Sequence, residues 1–401
     1  MTIFLLIVLS VYGAVNLYIF RRSFQALAAF LAARTVFAVF FLALVVAYPL
    51  GRFLFSQSKN SFSILMMRAG SYYIALMVNL FLCALTVDVV RLLDRWLRFV
   101  PRGLAARPGR TGLALFLAAY AVSLSAVAAG ALNAARPRLR ALELEIIKPA
   151  AVEGELKAAV ASDIHLGTVF GAGRLKTIVE KIAACDPDIV LFPGDVIDES
   201  MTAKEEERLM AVLAGLKAPL GLFSVVGNHE VYSGLERNVA FLEKFGIKVL
   251  RNEAVLVNGS FYLVGRDDPS VGRAGGGRLP LRDILEGSNV DSGLPVILLD
   301  HQPVGLDEAD RAGIDLQLSG HTHAGQLFPL DIINKRLYEK NWGYLRKGRT
   351  HYYVSSGAGT WGPPVRTAGR SEVILLRLKF RRGPASREAG EVGKQGQDRR
   401  S

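Results

Sequence analysis

The first third of the chain consists mostly of long apolar runs that contain few charged residues. A helix needs about 20 apolar residues to cross a bilayer core of about 30 Å, because each residue advances it by about 1.5 Å. The runs lack the polar face that a soluble helix shows, so residues 1–134 are expected to form a membrane region with four helical spans. The predicted spans are residues 2–20, 35–55, 70–90 and 112–133.

After about residue 142 the pattern changes to short β-like runs that alternate with amphipathic stretches. Helical patterns at residues 174–185 and 204–217 separate the first of these runs, which predicts an α/β domain over residues 151–380. Residues 135–150 are expected to form a linker and the first strand, and the polar, glycine-rich residues 381–401 to be disordered. The other predicted strands are residues 156–162, 188–193, 221–226, 295–299, 316–319, 352–355 and 372–378.

Composition agrees with a membrane region joined to a globular domain. The 401 residues are 51% hydrophobic, and the mean hydropathy of +0.29 is too high for an ordinary soluble enzyme. The net charge of +12 comes largely from arginines beside the apolar runs and from the tail. No basic run is interleaved with aromatic residues, so nucleic acid is not an expected partner. Cys83 and Cys185 lie in different regions, and no disulfide is predicted.

Arginine placement gives an expected orientation, because basic loops tend to stay on the cytoplasmic side. The first and third loops carry more basic residues than the second loop and the segment after the last span. The chain is therefore expected to be a multi-pass protein of the cell membrane with both termini, and the C-terminal domain, outside the cytoplasm. The basic residues on the expected cytoplasmic side are Arg21, Arg22, Arg34, Arg91, Arg95, Arg98, Arg102, Arg107 and Arg110, against Arg52, Lys59, Arg68, Arg136, Arg138, Arg140 and Lys148.

Polar clusters follow five of the predicted strands at the point where each strand ends. Ligands in open α/β sheets collect beyond the carboxyl ends of the strands, so the five loops are expected to meet at one crevice. The clusters are Asp163-Ile-His165, Gly194-Asp195-Val-Ile-Asp198, Gly227-Asn228-His229-Glu230, Asp300-His301-Gln-Pro303 and Gly320-His321-Thr-His323.

These residue types are oxygen and nitrogen donors, which suit Mn, Fe, Zn or Mg ions and exclude thiolate ligation. More donors are present than one metal needs, so two divalent ions are expected, about 3.5–4 Å apart, with one carboxylate bridging them. If the backbone at Asp163–His165 and His321–His323 is extended, both residues of each pair point to the crevice. Such a metal pair polarises a phosphate and activates a water molecule, whose hydroxide attacks phosphorus in line with the leaving group.

The ordered motif set resembles the calcineurin-like metallophosphoesterase superfamily over roughly residues 156–378. The resemblance implies a first metal on Asp163, His165, Asp195 and His323, and a second on Asp195, Asn228, His301 and His321. Asp195 is then the bridging ligand, and His229 the catalytic residue that stabilises the transition state or protonates the leaving oxygen. Asp198 and Glu230 match positions that orient the ligands. The implied fold is a four-layer α/β/β/α sandwich.

The sequences of residues 315–326 and 357–366 are similar to those of a bacterial subgroup of membrane-associated phosphohydrolases. This subgroup resembles the animal transmembrane protein with a metallophosphoesterase domain. Some relatives are linked to hydrolysis of UDP-2,3-diacylglucosamine in lipid A biosynthesis, so the resemblance makes an anhydride next to acyl chains a candidate substrate. The resemblance implies a hydrolase, such as a phosphodiesterase, that cleaves a phosphoester or pyrophosphate bond of a small phosphorylated or lipid-linked substrate. The alternative is a membrane receptor or scaffold that binds a phosphorylated ligand without turnover. Trp361 and Arg366 are candidates for the substrate rim, and the oligomeric state stays open.

Overall fold

The computed structural model describes residues 2–101, 103, 108–150, 155–167, 171–199, 201–274 and 277–381. The chain forms two compact units. The first unit consists of Met1–Asn133 and Gly362–Thr367, and the second of Ala134–Trp361 and Ala368–Ser401. Apart from Arg381, the predicted disordered tail lies outside the described residues.

Among the described residues, four long helices make up most of the first unit. Three of them contain stretches that are long and apolar enough to cross a membrane, at Leu31–Gln57, Ser61–Leu97 and Gly109–Ala135. The first predicted span, residues 2–20, lies in the remaining helix, which is 25 residues long. The side chains of Phe4 and Leu5 in this helix fall outside the described residues. That span therefore stays a prediction. The helices are α1 (Thr2–Ala26), α2 (Leu31–Gln57), α3 (Ser61–Leu97) and α4 (Pro108–Ala135).

The pairing of α2 with α3 depends on two glycines. A Cβ atom at Gly70 would collide with the backbone of Tyr48, and one at Gly51 would collide with the backbone of Met67. Small residues allow apolar helices to approach closely in a lipid environment, where packing replaces the hydrophobic effect as the main attraction. The close contact explains how two helices with few polar groups hold a fixed register.

The second unit contains two mixed six-stranded sheets. The first sheet has the strand order β1-β12-β2-β3-β4-β5 and the second has β10-β11-β9-β8-β7-β6. The strands are β1 (Arg138–Ile146), β2 (Glu155–Val160), β3 (Ile189–Phe192), β4 (Leu222–Ser224), β5 (Ile247–Val249), β6 (Glu253–Val257), β7 (Phe261–Arg266), β8 (Val296–Asp300), β9 (Leu316–Ser319), β10 (Gly343–Lys347), β11 (Thr350–Val354) and β12 (Glu372–Phe380).

Helices cover the outer face of each sheet. A buried apolar cluster joins the inner faces of the two sheets, with Leu156 and Ile189 from the first and Ile297 and Leu316 from the second. Each sheet has one further cluster between it and the helices that cover it. The predicted four-layer α/β/β/α sandwich is confirmed. The helices of this unit are α5 (Ala172–Ala183), α6 (Ala203–Leu213), α7 (Asn228–Lys244), α8 (Leu281–Gly287), α9 (Leu306–Arg311) and α10 (Leu330–Leu337).

The parallel neighbours β2, β3 and β4 form the part of the first sheet that positions the loops of interest. Ten of their 13 residues are buried, which fits a sheet covered on both faces, where strands are continuous apolar runs. Each run stops where polar residues begin. The loops that follow the three strands therefore lie at one edge of the sheet.

Several elements were not predicted. β6 and β7 pair as an antiparallel hairpin, and the turn residues Asn258 and Gly259 both have positive φ, as a tight hairpin turn requires. The predicted strand at residues 156–162 ends earlier, at Val160. Its last two residues already belong to the loop that carries Asp163, so the prediction of its end was wrong by two positions.

Candidate metal centre

The five polar clusters all follow strands that are neighbours in a sheet. β2, β3 and β4 are adjacent in the first sheet, and β8 and β9 are adjacent and parallel in the second. Parallel strands place their carboxyl ends at the same edge, so the loops after them meet. The structure brings all eight predicted site residues together at these ends. They are Asp163, His165, Asp195, Asn228, His229, His301, His321 and His323.

One group of donor atoms consists of Asp163, His165 and His323. The Nε2 atoms of His165 and His323 lie 2.9 Å apart, and His323 Nε2 lies 3.6 Å from Asp163 Oδ1. All three side chains are buried. Their donor atoms all fall within 4.8 Å of one another, which is compatible with binding to a common ion.

A second group contains Asp195, Asn228, His301 and His321. Asn228 Oδ1 lies 3.2 Å from His301 Nε2 and 2.9 Å from His321 Nδ1. Asp195 Oδ2 lies 3.2 Å from His301 Nε2 and 3.8 Å from Nε2 of His165 in the first group. Asp195 therefore stands between the two groups, where a bridging carboxylate is expected.

The chemistry of these donors fits cations. Nδ1 of His301 lies 2.8 Å from the carbonyl oxygen of Pro193, which can only accept, so Nδ1 donates and the other ring nitrogen of the neutral imidazole presents a lone pair. In the neutral form that lone pair faces the oxygens of Asp195 and Asn228, an arrangement of donor atoms that suits a shared cation. In the first group, Asp163 Oδ2 and His165 Nδ1 are buried without a hydrogen-bond partner among the described residues. Such orphaned atoms are typical of a metal site.

The backbone at these residues differs from the predicted extended form. Asp163, His165, Asp195, His321 and His323 all have φ between 50° and 70°. The argument from alternation along an extended strand was therefore wrong, although both side chains of each pair still reach the centre. A left-handed conformation costs a non-glycine residue about 1–3 kcal/mol, and such strain clusters at functional sites.

The two carboxylates also fasten the loops to one another. Asp163 Oδ1 accepts a hydrogen bond from the backbone N–H of His321 at 2.8 Å, and Asp195 Oδ1 accepts one from the backbone N–H of His229 at 2.9 Å. A Cβ atom at Gly320 or Gly227 would collide with these same carboxylates. The glycines in the two motifs are thus needed for the close approach of loop and carboxylate.

His229 lies beside the metal groups, and its ring is oriented by Asp198. Its Nδ1 is hydrogen-bonded to Asp198 Oδ1, and its ring stands nearly perpendicular to that of His165, with 4.7 Å between centroids. Burial alone would lower the pKa of His229, but Asp198, with Asp195 and Glu230, raises it to about 9. Burial would raise the pKa of Asp198, but the imidazoles of His165 and His229 lower it.

Glu230 is fully buried and ties two of the loops together. Its Oε2 accepts hydrogen bonds from the backbone N–H groups of Asp195 at 3.0 Å and Gly227 at 2.8 Å. Its Oε1 accepts one from Ile197 at 2.7 Å. Burial and the neighbouring Asp195 carboxylate raise the pKa of Glu230 to about 7. The side chain holds both ends of the loop that presents Asp195.

Replacing Glu230 with glutamine is expected to destabilise the protein. Glutamine keeps one acceptor oxygen but turns an NH₂ group toward backbone N–H donors, and leaving a buried donor unsatisfied costs about 1–3 kcal/mol per group. Thermal unfolding of the solubilised full chain should therefore begin at a clearly lower temperature. The matched control is Glu236→Gln on the same helix α7, whose exposed carboxylate contacts only a surface arginine, Arg251, among the described residues. Equal unfolding temperatures for the two variants would contradict the assigned role of Glu230.

Asp300, which precedes His301, is engaged elsewhere. Its two oxygens accept hydrogen bonds from Arg278 at 2.8 and 2.7 Å, and Arg266 lies 3.7 Å away. The paired guanidiniums fix the end of β8 immediately before the histidine. No sequence pattern pointed to Arg278, because it lies 22 positions away in a loop rich in glycine.

Aromatic side chains border the centre. The ring of Trp361 lies 6.0 Å from that of His229, and the ring of Tyr232 lies 5.9 Å from it. Trp361 is held by the side-chain amide of Gln326. The amide nitrogen donates to the backbone carbonyl of Trp361 at 2.8 Å, and the amide oxygen accepts from the backbone N–H of Trp361 at 3.0 Å. The placement of Trp361 fits the predicted rim. Arg366 does not fit it, because its side chain is only 1% exposed.

Comparison with known proteins finds a protein family that matches this chain. A family model described as calcineurin-like phosphoesterase matches residues 156–325, a range that contains all five polar clusters. A metallophosphoesterase of Aquifex aeolicus, named as uncharacterized, is 40% identical over 227 residues, which cover 56% of this chain and 85% of the relative.

Two relatives extend the similarity into the apolar helices. A metallophosphoesterase of Campylobacter jejuni, also named as uncharacterized, is 30% identical and is matched over 94% of this chain and 98% of its own length. A protein of Danio rerio named transmembrane protein with metallophosphoesterase domain is 32% identical, over 94% of this chain and 89% of its own length. The apolar helices and these relatives together indicate a membrane protein with a metallophosphoesterase domain.

Proposed function

This chain belongs to the calcineurin-like metallophosphoesterase family, and from that premise we propose that it is a membrane-anchored hydrolase of phosphoester or pyrophosphate bonds. The observation that carries the proposal is the convergence of two groups of metal-donor atoms on Asp195, with an oriented imidazole beside them. A receptor or scaffold that only binds phosphate has no need of that imidazole.

We assign two divalent cations to the centre. Asp163, His165, Asp195 and His323 would hold the first, and Asp195, Asn228, His301 and His321 the second. When bound, the cations polarise the phosphate oxygens and lower the pKa of a water molecule, chemistry that Mn, Fe, Zn and Mg can all supply to this kind of donor set.

The proposed task of His229 is to move a proton. Its Nδ1 is occupied by the Asp198 carboxylate, so Nε2 is the ring atom left to face the oxygen of a leaving group. Asp198 is a positioning residue in this scheme, because it acts through the imidazole. Cations held by these residues would attract the phosphate, and the protein loops would orient it.

For the substrate we propose a phosphate borne by a lipid, of which a UDP-2,3-diacylglucosamine-like molecule is one example. Helix α10 leaves its apolar side chains at the surface, with Leu337 71% exposed and Leu330, Ile332 and Ile333 also exposed. The helix stays close to the centre, since Asn334 Nδ2 donates to the carbonyl oxygen of Thr322 at 2.8 Å. An apolar surface of this kind favours a substrate that carries acyl chains.

A double substitution of Ile333 and Leu337 with aspartate is expected to separate lipid-borne from soluble substrates. Burying one such side chain against a lipid contributes about 1.5–3 kcal/mol, so kcat/KM for a lipid phosphate should fall about tenfold or more. Turnover of a soluble chromogenic diester by the same solubilised chain should change little. Leu256→Asp is the control, because Leu256 is comparably exposed on strand β6. Equal losses on both substrates would contradict the assignment of the lipid.

We also propose that the hydrolase unit faces the outside of the cell membrane, as the arginine distribution favours. A reporter enzyme that works only outside the cytoplasm should then be active when it is fused to the C-terminus, and a reporter that works only in the cytoplasm should be inactive there.

The overall function is tested by incubating the solubilised full chain with lipid phosphates, nucleotide-sugar lipids and soluble diesters, beside the His229→Ala variant. Metal-dependent release of product from one class, and its loss in the variant, is the expected outcome. Stoichiometric metal and tight ligand binding with no product over hours would instead identify a receptor.

A further inference from the structure

A cavity of about 200 Å³ lies among helices α1, α3 and α4 of the first unit, at the end where α1 and α3 finish and α4 begins. Its lining is charged at that end, where Arg22 and Arg91 approach Asp88. Away from that end its lining on α3 is mostly apolar, with Leu80 and Ala84, while Leu115 and Phe116 of α4 flank the charged end.

The charged end carries an excess of positive charge. Arg22 Nη2 lies 2.5 Å from Asp88 Oδ2, and Arg91 Nη1 lies 3.5 Å from Asp88 Oδ1. Tyr18 also donates to Asp88 Oδ2, at 2.5 Å. Among the described lining residues, two guanidiniums thus share one carboxylate, and the side chains of Arg22 and Arg91 stay 43% and 52% exposed. An anion that enters the cavity meets donors that Asp88 does not saturate.

The shape of the lining defines the rest of the ligand. Leu80 and Arg91 are both on α3, eleven positions apart, which corresponds to about 16 Å along the helix axis. A free phosphate would use only the arginine end. A molecule with a phosphate at one end and a hydrocarbon chain at the other matches both parts, because guanidinium pairs with phosphate and apolar walls exclude water from the chain.

We propose that this cavity is a binding site for an anionic phospholipid, with the lipid phosphate between Arg22 and Arg91 and an acyl chain along Ala84 and Leu80. The site is separate from the candidate metal centre, and the proposal does not depend on the proposed function. The lipid is a bound partner of the helices in this scheme and undergoes no reaction there.

The test measures the thermal unfolding midpoint of the delipidated, detergent-solubilised full chain during titration with phosphatidylglycerol. Ligands that bind the folded state raise this midpoint. Phosphatidylglycerol should raise it more than zwitterionic phosphatidylcholine, and inorganic phosphate should raise it little. A shift from inorganic phosphate equal to that from phosphatidylglycerol would overturn the assignment of a lipid, and equal shifts from the two lipids would overturn the role of the arginines.

Two variants localise the effect. Arg91→Gln removes one charge-assisted contact and should weaken the apparent affinity for phosphatidylglycerol about tenfold. Arg95→Gln is its matched control, since Arg95 lies four positions further on the same helix and does not line the cavity. Ala84→Phe, which places a ring in the apolar part, should weaken the lipid effect without touching a charge. Binding that is unchanged in both Arg91→Gln and Ala84→Phe would show that the lipid binds elsewhere.

Discussion

Asp195→Asn is expected to abolish hydrolysis and to lower the metal content of the purified chain. The asparagine retains an oxygen that can accept the hydrogen bond from the His229 backbone, so the loop keeps its anchor. What changes is the atom that faces His165 and His301, where a charged oxygen is replaced by a neutral amide. A shared carboxylate that holds two cations contributes several kcal/mol of charge stabilisation, which predicts a fall in kcat/KM of about 10³-fold or more.

The measurement combines metal analysis with turnover of a chromogenic diester by the solubilised full chain. Asp186→Asn is the matched control, because this carboxylate is 97% exposed and pairs with Lys157 at the surface, where ion pairs contribute little. Asp186→Asn should keep full metal content and activity. An Asp195→Asn chain that retains both metals and normal turnover would disprove the assigned centre.

The position of the site was predictable from sequence because two local signals coincide in this fold. Buried parallel strands are continuous apolar runs, so their ends are visible in the sequence, as at Ile189–Phe192 before Asp195. Polar residues directly after such runs must lie at the edge of the sheet, and the sheet order then brings the edges together. Neither step requires knowledge of side-chain packing.

The detailed geometry was not predictable, because it depends on contacts between distant parts of the chain. The left-handed backbone at Asp163 and His321 is held by a hydrogen bond across 158 positions. The location of Trp361 follows from Gln326, 35 positions earlier. Nothing in the local sequence of either residue specifies its partner.

Helix α10 was missed for a different reason. Its apolar residues remain exposed, and all of its residues are at least partly accessible. Its neighbours in the sequence, Phe328 and Trp342, are exposed as well. The spacing of apolar residues along a helix normally identifies a face that packs on the core, but here those residues lie at the surface. The helix is related to the centre by its position beside Thr322.

The two proposed lipid contacts differ in chemistry. The surface of α10 offers apolar side chains beside the candidate cation sites, which suits a molecule that presents its phosphate for hydrolysis. The cavity in the first unit offers two arginines beside apolar residues, which suits a lipid that stays intact. The variants proposed for the two sites share no residue, so either assignment can fail while the other survives.

His229→Ala is expected to lower kcat by about 10²- to 10⁴-fold, the usual contribution of a positioned acid or base, while the metal content stays normal. A ligand atom of the ring lies within 4.8 Å of ligand atoms of His165 and Asp195, but the proposed ligand sets do not include His229, and its Nδ1 is already bound to Asp198. Loss of the side chain therefore removes a proton donor and leaves the donor groups of Asp163, His165 and Asp195 in place. Metal analysis and single-turnover measurements on the solubilised chain separate this outcome from a general loss of the site.

The leaving group decides whether the imidazole transfers a proton. A 4-nitrophenolate departs without protonation, whereas an alkoxide does not, so His229→Ala should impair hydrolysis of an alkyl ester far more than that of a nitrophenyl ester. Asp198→Asn should give the same preference with a smaller loss of about 10- to 100-fold, because it disturbs only the orientation of the ring. A control at Tyr232, changed to phenylalanine, leaves the aromatic neighbour of His229 in place and should leave the ratio between the two esters unchanged. Equal losses on both esters in His229→Ala would rule out a proton-transfer role and leave charge stabilisation as the function of this residue.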